Sequence, residues 1–417
     1  MAGGDGTPAI ARSLEVYPLA KCLDGTPARY YIRRADPFRM LIFFEGWGFC
    51  SSMSQCQARS MTFKGSTRDD PLTLQLDRPY FRRDSSNPLL GSFTHVFVRT
   101  CDGGYFSGSR REPISYNGSM LHFNGRWIVD ALLTDLAAYA SLRISTTIVL
   151  GGCSAGGINV LAHLDFLRER LPRTAQVVGF VDSGFYMNLP IYSRLKSFVL
   201  SPSGMNASWM LSHACVAEHP KKTEACLVGQ VSSMYLHTPT FLWQSVFDTD
   251  QQDCELSPVC AESIPCRAEY GANLSAAIRS WLLANTHIRH GAFLDMCSRH
   301  CDDGMPPPLK MGVILAEGGI SPLQAFAAWH RGLTSRTLWT QEGVPAGKPV
   351  TCTVSFGLPT PNSSGAITNV FATLCALSAT LAVAVAMVWS RRWWRAHVRG
   401  KAEAGQNLVL ASFDEQG

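Results

Sequence analysis

The sequence has no Cys-x-x-Cys pair, no phosphate-loop or dinucleotide glycine signature, and no long basic block before residue 390. Each absence excludes a class of function. Without paired cysteines at finger spacing, a zinc ribbon or a redox dithiol lacks its ligands. Without the P-loop lysine or the three-glycine spacing, a nucleotide cradle lacks its framework. The net charge is only +5, from 37 basic and 32 acidic residues, so a nucleic-acid partner has no compositional support. Charged residues make up 17% of the 417 and hydrophobic ones 46%, too little charge for a disordered chain. One large packed domain, or two ordinary ones, is the expectation. The first 21 residues carry neither the basic nor the apolar region of a secretory signal, so targeting is expected to rest on residues upstream or elsewhere.

What is present points to an oxidising compartment. Fourteen cysteines are scattered along the chain, as disulfides in a secretory protein would be. N-glycosylation sequons start at Asn117, Asn206, Asn273 and Asn362. Residues 366–389 form 24 positions without a charge, followed by Arg391, Arg392, Trp393, Trp394 and Arg395. That length exceeds the ~20 residues needed to span a bilayer, and the basic cluster places the tail in the cytosol. The expectation is a single-pass membrane protein with its catalytic domain lumenal or extracellular. A buried core helix is the competing reading of the run. A tail-anchored protein with a cytosolic domain would leave cysteines and sequons without use.

From residue 39 onward, short apolar runs alternate with longer amphipathic ones, the pattern of an α/β protein with a largely parallel sheet. Strands are expected at 40–44, 95–99, 146–150, 177–181 and 240–247, and helices at 127–141 and 157–170. The strand ends carry EGWG, CDGG, GGCSAGG, DSG and DTD, and ligands of parallel sheets gather beyond such ends. Residues 201–236 have no clear period and read as an inserted cap.

The chemistry centres on Gly152-Cys153-Ser154-Ala155-Gly156, a G-x-S-x-G between an expected strand and an expected helix. A serine on that sharp turn needs small neighbours, and the two glycines supply them. A structural glycine turn is the bland alternative. A nucleophilic serine needs a histidine base and an orienting acid, both later in the chain in this fold class. Asp248, at the end of an apolar strand, is the leading acid, with Asp182, Asp250 and Asp253 as competitors. His122 and His163 read as element starts or helix faces, His287 and His290 as an exposed helix, and His397 as tail. His300, between Cys297 and Cys301, stands level with His237 and His330 together as candidate base. A zinc site from Cys297, His300 and Cys301 is the rival use of those residues, without a second ligand pair at finger spacing.

At this point the chain resembles a family. The runs FFEGWGFC, VRTCDGGYFSG, LHFNG, GGCSAGG, VDSGFY, FDTDQ and CSRHC occur in the order seen in the pectin acetylesterase and Notum family of α/β-hydrolases. The likeness is closer to the plant pectin acetylesterases, through CDG, HF-G and the Cys before the serine. It covers about residues 16–352. The organisation it implies is a 1–15 segment, a hydrolase domain at 16–352, a linker at 353–365, the span at 366–389 and the tail at 390–417.

The resemblance implies Ser154 as nucleophile, Asp248 as acid and His300 as base. It implies an oxyanion hole of backbone N–H groups at Trp47, Gly48 and Ala155. It implies O-acetyl ester hydrolysis on a polysaccharide, with no metal or organic cofactor. Trp47 departs from the family, which has consecutive glycines after the Glu, and a loop needing positive φ would resist a tryptophan. Two alternatives follow: a Notum-like deacylase of a lipid-acylated protein, and an inactive, membrane-tethered binding protein. Cys153 is expected to be a free, small elbow residue; setting it and Cys375 aside leaves twelve cysteines, enough for six disulfides.

Overall fold

Apolar runs with β-branched and aromatic residues form the centre of a ten-stranded sheet in the structure, a computed structural model that describes residues 6–301, 316 and 318–341. The strands are β1 (Ala9–Ser13), β2 (Arg29–Arg33), β3 (Asp36–Phe44), β4 (Thr73–Leu74), β5 (Phe93–Val98), β6 (Ile114–Tyr116), β7 (Ser119–Leu121), β8 (Thr147–Cys153), β9 (Gln176–Asp182), β10 (Thr240–Ser245), β11 (Gly291–Asp295) and β12 (Leu338–Thr340). The helices are α1 (Met53–Ser60), α2 (Gly125–Tyr139), α3 (Ala155–Arg168), α4 (Pro190–Leu200), α5 (His213–Glu218), α6 (Gly229–Ser232), α7 (Thr249–Glu255), α8 (Pro258–Glu262), α9 (Ile264–Ala284) and α10 (Pro322–His330).

The sheet order is β12-β11-β10-β9-β8-β3-β5-β2-β1-β4, with β6 and β7 as a separate hairpin. From β12 through β5 neighbouring strands are parallel, and β2, β1 and β4 extend the edge in antiparallel fashion. The five expected strands and the two expected helices all form.

Alternation along β3 divides the core. Met40, Ile42 and Phe44 belong to the core on the sheet face that α2, α3 and α9 also line, while Leu41 and Phe43 belong to the core on the opposite face, with α10 and the segment around Tyr80 and Phe81. Phe43 stacks on Tyr80 at 4.3 Å between centroids and meets Phe81 edge-on at 5.4 Å. Burying each such ring contributes roughly 2–3 kcal/mol. Helix α2 puts Ile128, Val129, Leu132 and Leu136 on its buried stripe. Helix α3 is buried nearly all round, which fixes its first turn firmly beneath the site. The region expected as a cap is a succession of short helical pieces closed by the Cys215–Cys226 disulfide.

Two expectations are corrected. Cys153 is not free: it is bonded to Cys301 across 148 residues. The other bridges among the described residues are Cys22–Cys101, Cys50–Cys56, Cys215–Cys226 and Cys260–Cys266. His287 and His290 are not on an exposed helix; α9 ends at Ala284, and His290 is buried beside Trp281 just before β11. Among the described residues no helix is long and apolar enough to cross a membrane. The expected linker, span and tail, with Asn362, Cys352 and Cys375, lie outside the described residues.

Candidate active site

Strand β8 ends at Cys153 and helix α3 begins at Ala155, which leaves Ser154 alone to make the turn. Its φ of 54° and ψ of −122° are unfavourable for a residue with a side chain, and the surroundings hold it there. Its N–H donates to the Asp182 carbonyl at 3.0 Å, and its own carbonyl accepts from the Ile158 N–H at 2.8 Å. The flanking glycines are required by space. A Cβ on Gly152 would stand 2.2 Å from the Gly156 carbonyl oxygen, and one on Gly156 2.1 Å from that of Phe44.

Asp248 follows β10 and caps α7, its Oδ1 accepting from the Gln251 N–H at 3.0 Å. Gln244 donates to its other oxygen at 3.3 Å. Thus fixed, Asp248 Oδ1 lies 2.7 Å from Nδ1 of His300. A carboxylate only accepts, so Nδ1 carries a proton, and in the neutral ring it is Nε2 that holds the lone pair. Burial works against a charged imidazole. Attraction and hydrogen bonding to Asp248, with smaller contributions from Asp250 and Asp182, outweigh it and raise the His300 pKa above its ordinary value.

The loop after β3 supplies the facing wall. Trp47 adopts φ 86° and Gly48 φ 64°, so the positive φ that a glycine would supply is present despite the tryptophan. Three contacts hold it. The indole N–H donates to Glu45 Oε1 at 3.0 Å, the ring meets Phe63 edge-on at 5.4 Å, and Lys64 Nζ sits 5.0 Å over it. Arg59 donates to the carbonyls of Trp47 at 2.5 Å and Gly48 at 3.3 Å, turning both peptide oxygens towards α1. In a trans peptide the following N–H then points the opposite way. Glu45 itself is buried and accepts from Arg99 and from the Thr100 N–H. Ala155 is buried as the first residue of α3, where a helix N–H has no partner within the helix.

Trp47, Gly48, Ser154 and His300 line one cavity of about 590 Å³, together with Lys64, Asp250 and Asp253. Of the rival acids, Asp250 lies 3.8 Å from His300 Nε2 and accepts from the Tyr186 hydroxyl at 2.9 Å. Asp182 is fully buried and turned to Arg299 at 3.0 Å, a structural role. His237 is exposed in the turn before β10, and His330 ends α10; neither lines this cavity. The zinc alternative loses its donors, because Cys301 is in a disulfide and His300 Nδ1 faces Asp248. The same bond accounts for the convergence of Cys153, Cys301 and Asp182.

Sequence reasoning missed Arg299. It is buried between Asp182 and Asp295, 2.7 Å from the latter, donates to the Cys301 carbonyl and lies 4.5 Å over the Trp243 ring. The available signal was its place inside the CSRHC run. Lys64 carried no signal at all.

The Pectinacetylesterase family model matches residues 14–306. The chain belongs to this family. It is 29% identical to pectin acetylesterase 5 of Arabidopsis thaliana over 311 residues, covering 69% of this chain and 71% of that one. It is 26% identical to the palmitoleoyl-protein carboxylesterase NOTUM of Drosophila melanogaster over 330 residues, covering 74% of this chain and 49% of the relative. The solved structure of the Drosophila Wnt deacylase Notum superposes with a TM-score of 0.66 at 21% identity, covering 81% of this chain and 97% of that one. The family member described here is accordingly an esterase.

Proposed function

We propose that this esterase hydrolyses O-acetyl esters of a polysaccharide through Ser154, His300 and Asp248. The observation that carries the reading is the His300–Asp248 bond at a cavity shared with Ser154 on its strained turn. His300 Nε2 takes the Ser154 proton as Oγ attacks the ester carbonyl. The sugar alcohol leaves with that proton, and an acetyl-enzyme remains. A water, deprotonated by the same Nε2, then releases acetate and restores the serine. N–H groups of the Trp47–Gly48 loop and of Ala155 stabilise the oxyanion, each worth about 3 kcal/mol in comparable sites.

The acetyl assignment draws on the names of the plant relatives and on the charged lining of the cavity. Lys64, Asp250 and Asp253 suit a small acyl group and a hydroxyl-rich alcohol better than a long lipid chain. The test compares p-nitrophenyl acetate with a long-chain p-nitrophenyl ester, using the native chain and Ser154→Ala. Acetate turnover that disappears in the variant is expected. Preference for the long chain would favour lipid deacylation instead.

The proposed setting is a single-pass membrane protein spanning at 366–389, with the hydrolase domain lumenal or extracellular. Its support is the uncharged run itself, the five disulfides between described residues, and sequons at Asn117 in a hairpin turn and Asn273 on the exposed side of α9. Endoglycosidase treatment of the expressed protein should shift its electrophoretic band; an unshifted band would count against this orientation.

A further inference from the structure

Two carboxylates from one turn bracket the imidazole of His300. Asp248 caps α7 and is fully buried, its Oδ1 2.7 Å from Nδ1. Asp250, in the first turn of the same helix, lines the Ser154 cavity with its side chain 48% exposed, and its Oδ2 lies 3.8 Å from Nε2. The proposed mechanism uses Asp248 alone. Asp250 cannot share the orienting role, because Nε2 is the nitrogen that must serve the serine.

Asp250 is nonetheless held in place. The hydroxyl of Tyr186, a buried residue, donates to its Oδ2 at 2.9 Å. Its Oδ1 accepts no hydrogen bond among the described residues. The carboxylate also works against the base, since its attraction favours the charged imidazole. A fixed acceptor with capacity to spare therefore stands beside the atom that handles the proton.

The chemistry of the leaving step locates its partner. The alcohol expelled from the ester takes its proton from Nε2, so its oxygen must come within about 3 Å of that nitrogen. On a sugar the next ring carbon carries a hydroxyl, whose oxygen stands a similar distance from the leaving one. With 3.8 Å between Nε2 and Oδ2, that hydroxyl can reach the carboxylate while the leaving oxygen meets Nε2. A carboxylate only accepts, so an ether, a second ester or a bare CH2 at the neighbouring carbon offers it nothing.

We propose that Asp250 is a specificity-determining residue that selects acetyl esters flanked by a free vicinal hydroxyl. The substrate class is a partly acetylated carbohydrate in which the hydroxyl beside the ester donates to Asp250 as the ester is cleaved. The proposal deepens the proposed function and rests on its assignment of His300 as the base. A hydrogen bond to a charged acceptor is stronger than a neutral one, and its loss should cost about 10–100-fold in kcat/KM.

The test assays the full chain on methyl 2-O-acetyl-β-xylopyranoside, its 3-deoxy analogue and its 3-O-methyl ether, above the acid limb of the pH profile. The first ester carries the neighbouring hydroxyl, the second lacks it without added bulk, and the third keeps the oxygen but not the donor. The native chain should favour the first over both others by about 10–100-fold in kcat/KM. Asp250→Ala should bring that ratio to within about threefold of one, whereas Asp250→Asn, whose amide oxygen still accepts, should retain part of it. A ratio near one in the native chain, cleavage of none of the three, or an undiminished ratio in Asp250→Ala would overturn the proposal. So would an equal fall on all three esters, which would give Asp250 a part in placing the base or the attacking water. Turnover of p-nitrophenyl acetate that survives in His300→Ala would remove the assignment of the base and the proposal together. A flat ratio beside an inactive His300→Ala would remove the proposal alone.

Discussion

Cys153 and Cys301 are bonded to each other, and each is the immediate chain neighbour of a proposed catalytic residue, Ser154 and His300. The bond therefore ties the end of β8 to the loop after β11 at the point where their side chains must meet. On the other side of His300, Arg299 is clamped by Asp182 and Asp295. Both flanks of the histidine are thereby anchored to strand ends of the sheet.

Replacing both cysteines by alanine should destabilise the fold by ~2–5 kcal/mol, since the closed loop is long. A small displacement of the base should also lower kcat on an acetyl ester about 10–100-fold, with KM less affected. Thermal unfolding and steady-state kinetics of the double variant check both. Native kcat in a folded double variant would show that the tie is unnecessary to the geometry.

Removing the charge of Arg299 as Arg299→Met would leave Asp182 and Asp295 buried without their cation. The expected loss is about 3–5 kcal/mol. It should be larger at neutral than at acid pH, because the cost falls on ionised carboxylates, and Asp182 is already raised by burial. Unfolding midpoints at two pH values measure this; a pH-independent loss would contradict it.

The Trp47 loop offers a sharper comparison. At φ 86° a glycine is relaxed, whereas an alanine is strained by ~1–2 kcal/mol and cannot bond to Glu45. Trp47→Gly should keep kcat within about threefold of native, while Trp47→Ala should be the less stable and slower variant. Equal damage in both would mean that the indole itself, and not the backbone it holds, is needed.

The pH profile follows from His300. As the proposed base it must be neutral, so activity should fall as pH drops through its raised pKa. Asp250→Asn removes one of the charges that raise it, so the acid limb of kcat/KM should move to lower pH. An unmoved or upward-shifted limb would show that Asp250 does not act on the base. The same raised pKa contributes stability that is complete below the unfolded value near 6.5 and is lost as pH rises through the folded one.

Legibility from sequence was uneven for physical reasons. The central parallel strands and α3 were readable because burial on both faces gives continuous apolar runs and the elbow needs its glycines. The antiparallel strands β1, β2 and β4 were not: β1 and β4 are short and half-exposed, and β2, though buried, is only five residues long, so no long run marks them. Helix α9 escaped because its 21 residues carry only a weak apolar stripe. Ser154 stood out as a candidate nucleophile by local spacing, whereas His300 needed family resemblance to rise above His237 and His330 as candidate base, because such a group is marked by what meets it in space. Cys153 was misjudged for the same reason, its partner being 148 residues away.

The central claim is that Ser154 is a nucleophile activated by His300 and Asp248. Its most direct measurement is labelling of the folded chain with a fluorophosphonate, followed by mass spectrometry of the modified peptide. The account predicts one phosphonyl adduct on Ser154, with labelling slowed about 10³-fold or more in His300→Ala. Labelling at another serine, or none on folded, disulfide-bonded protein, would contradict it.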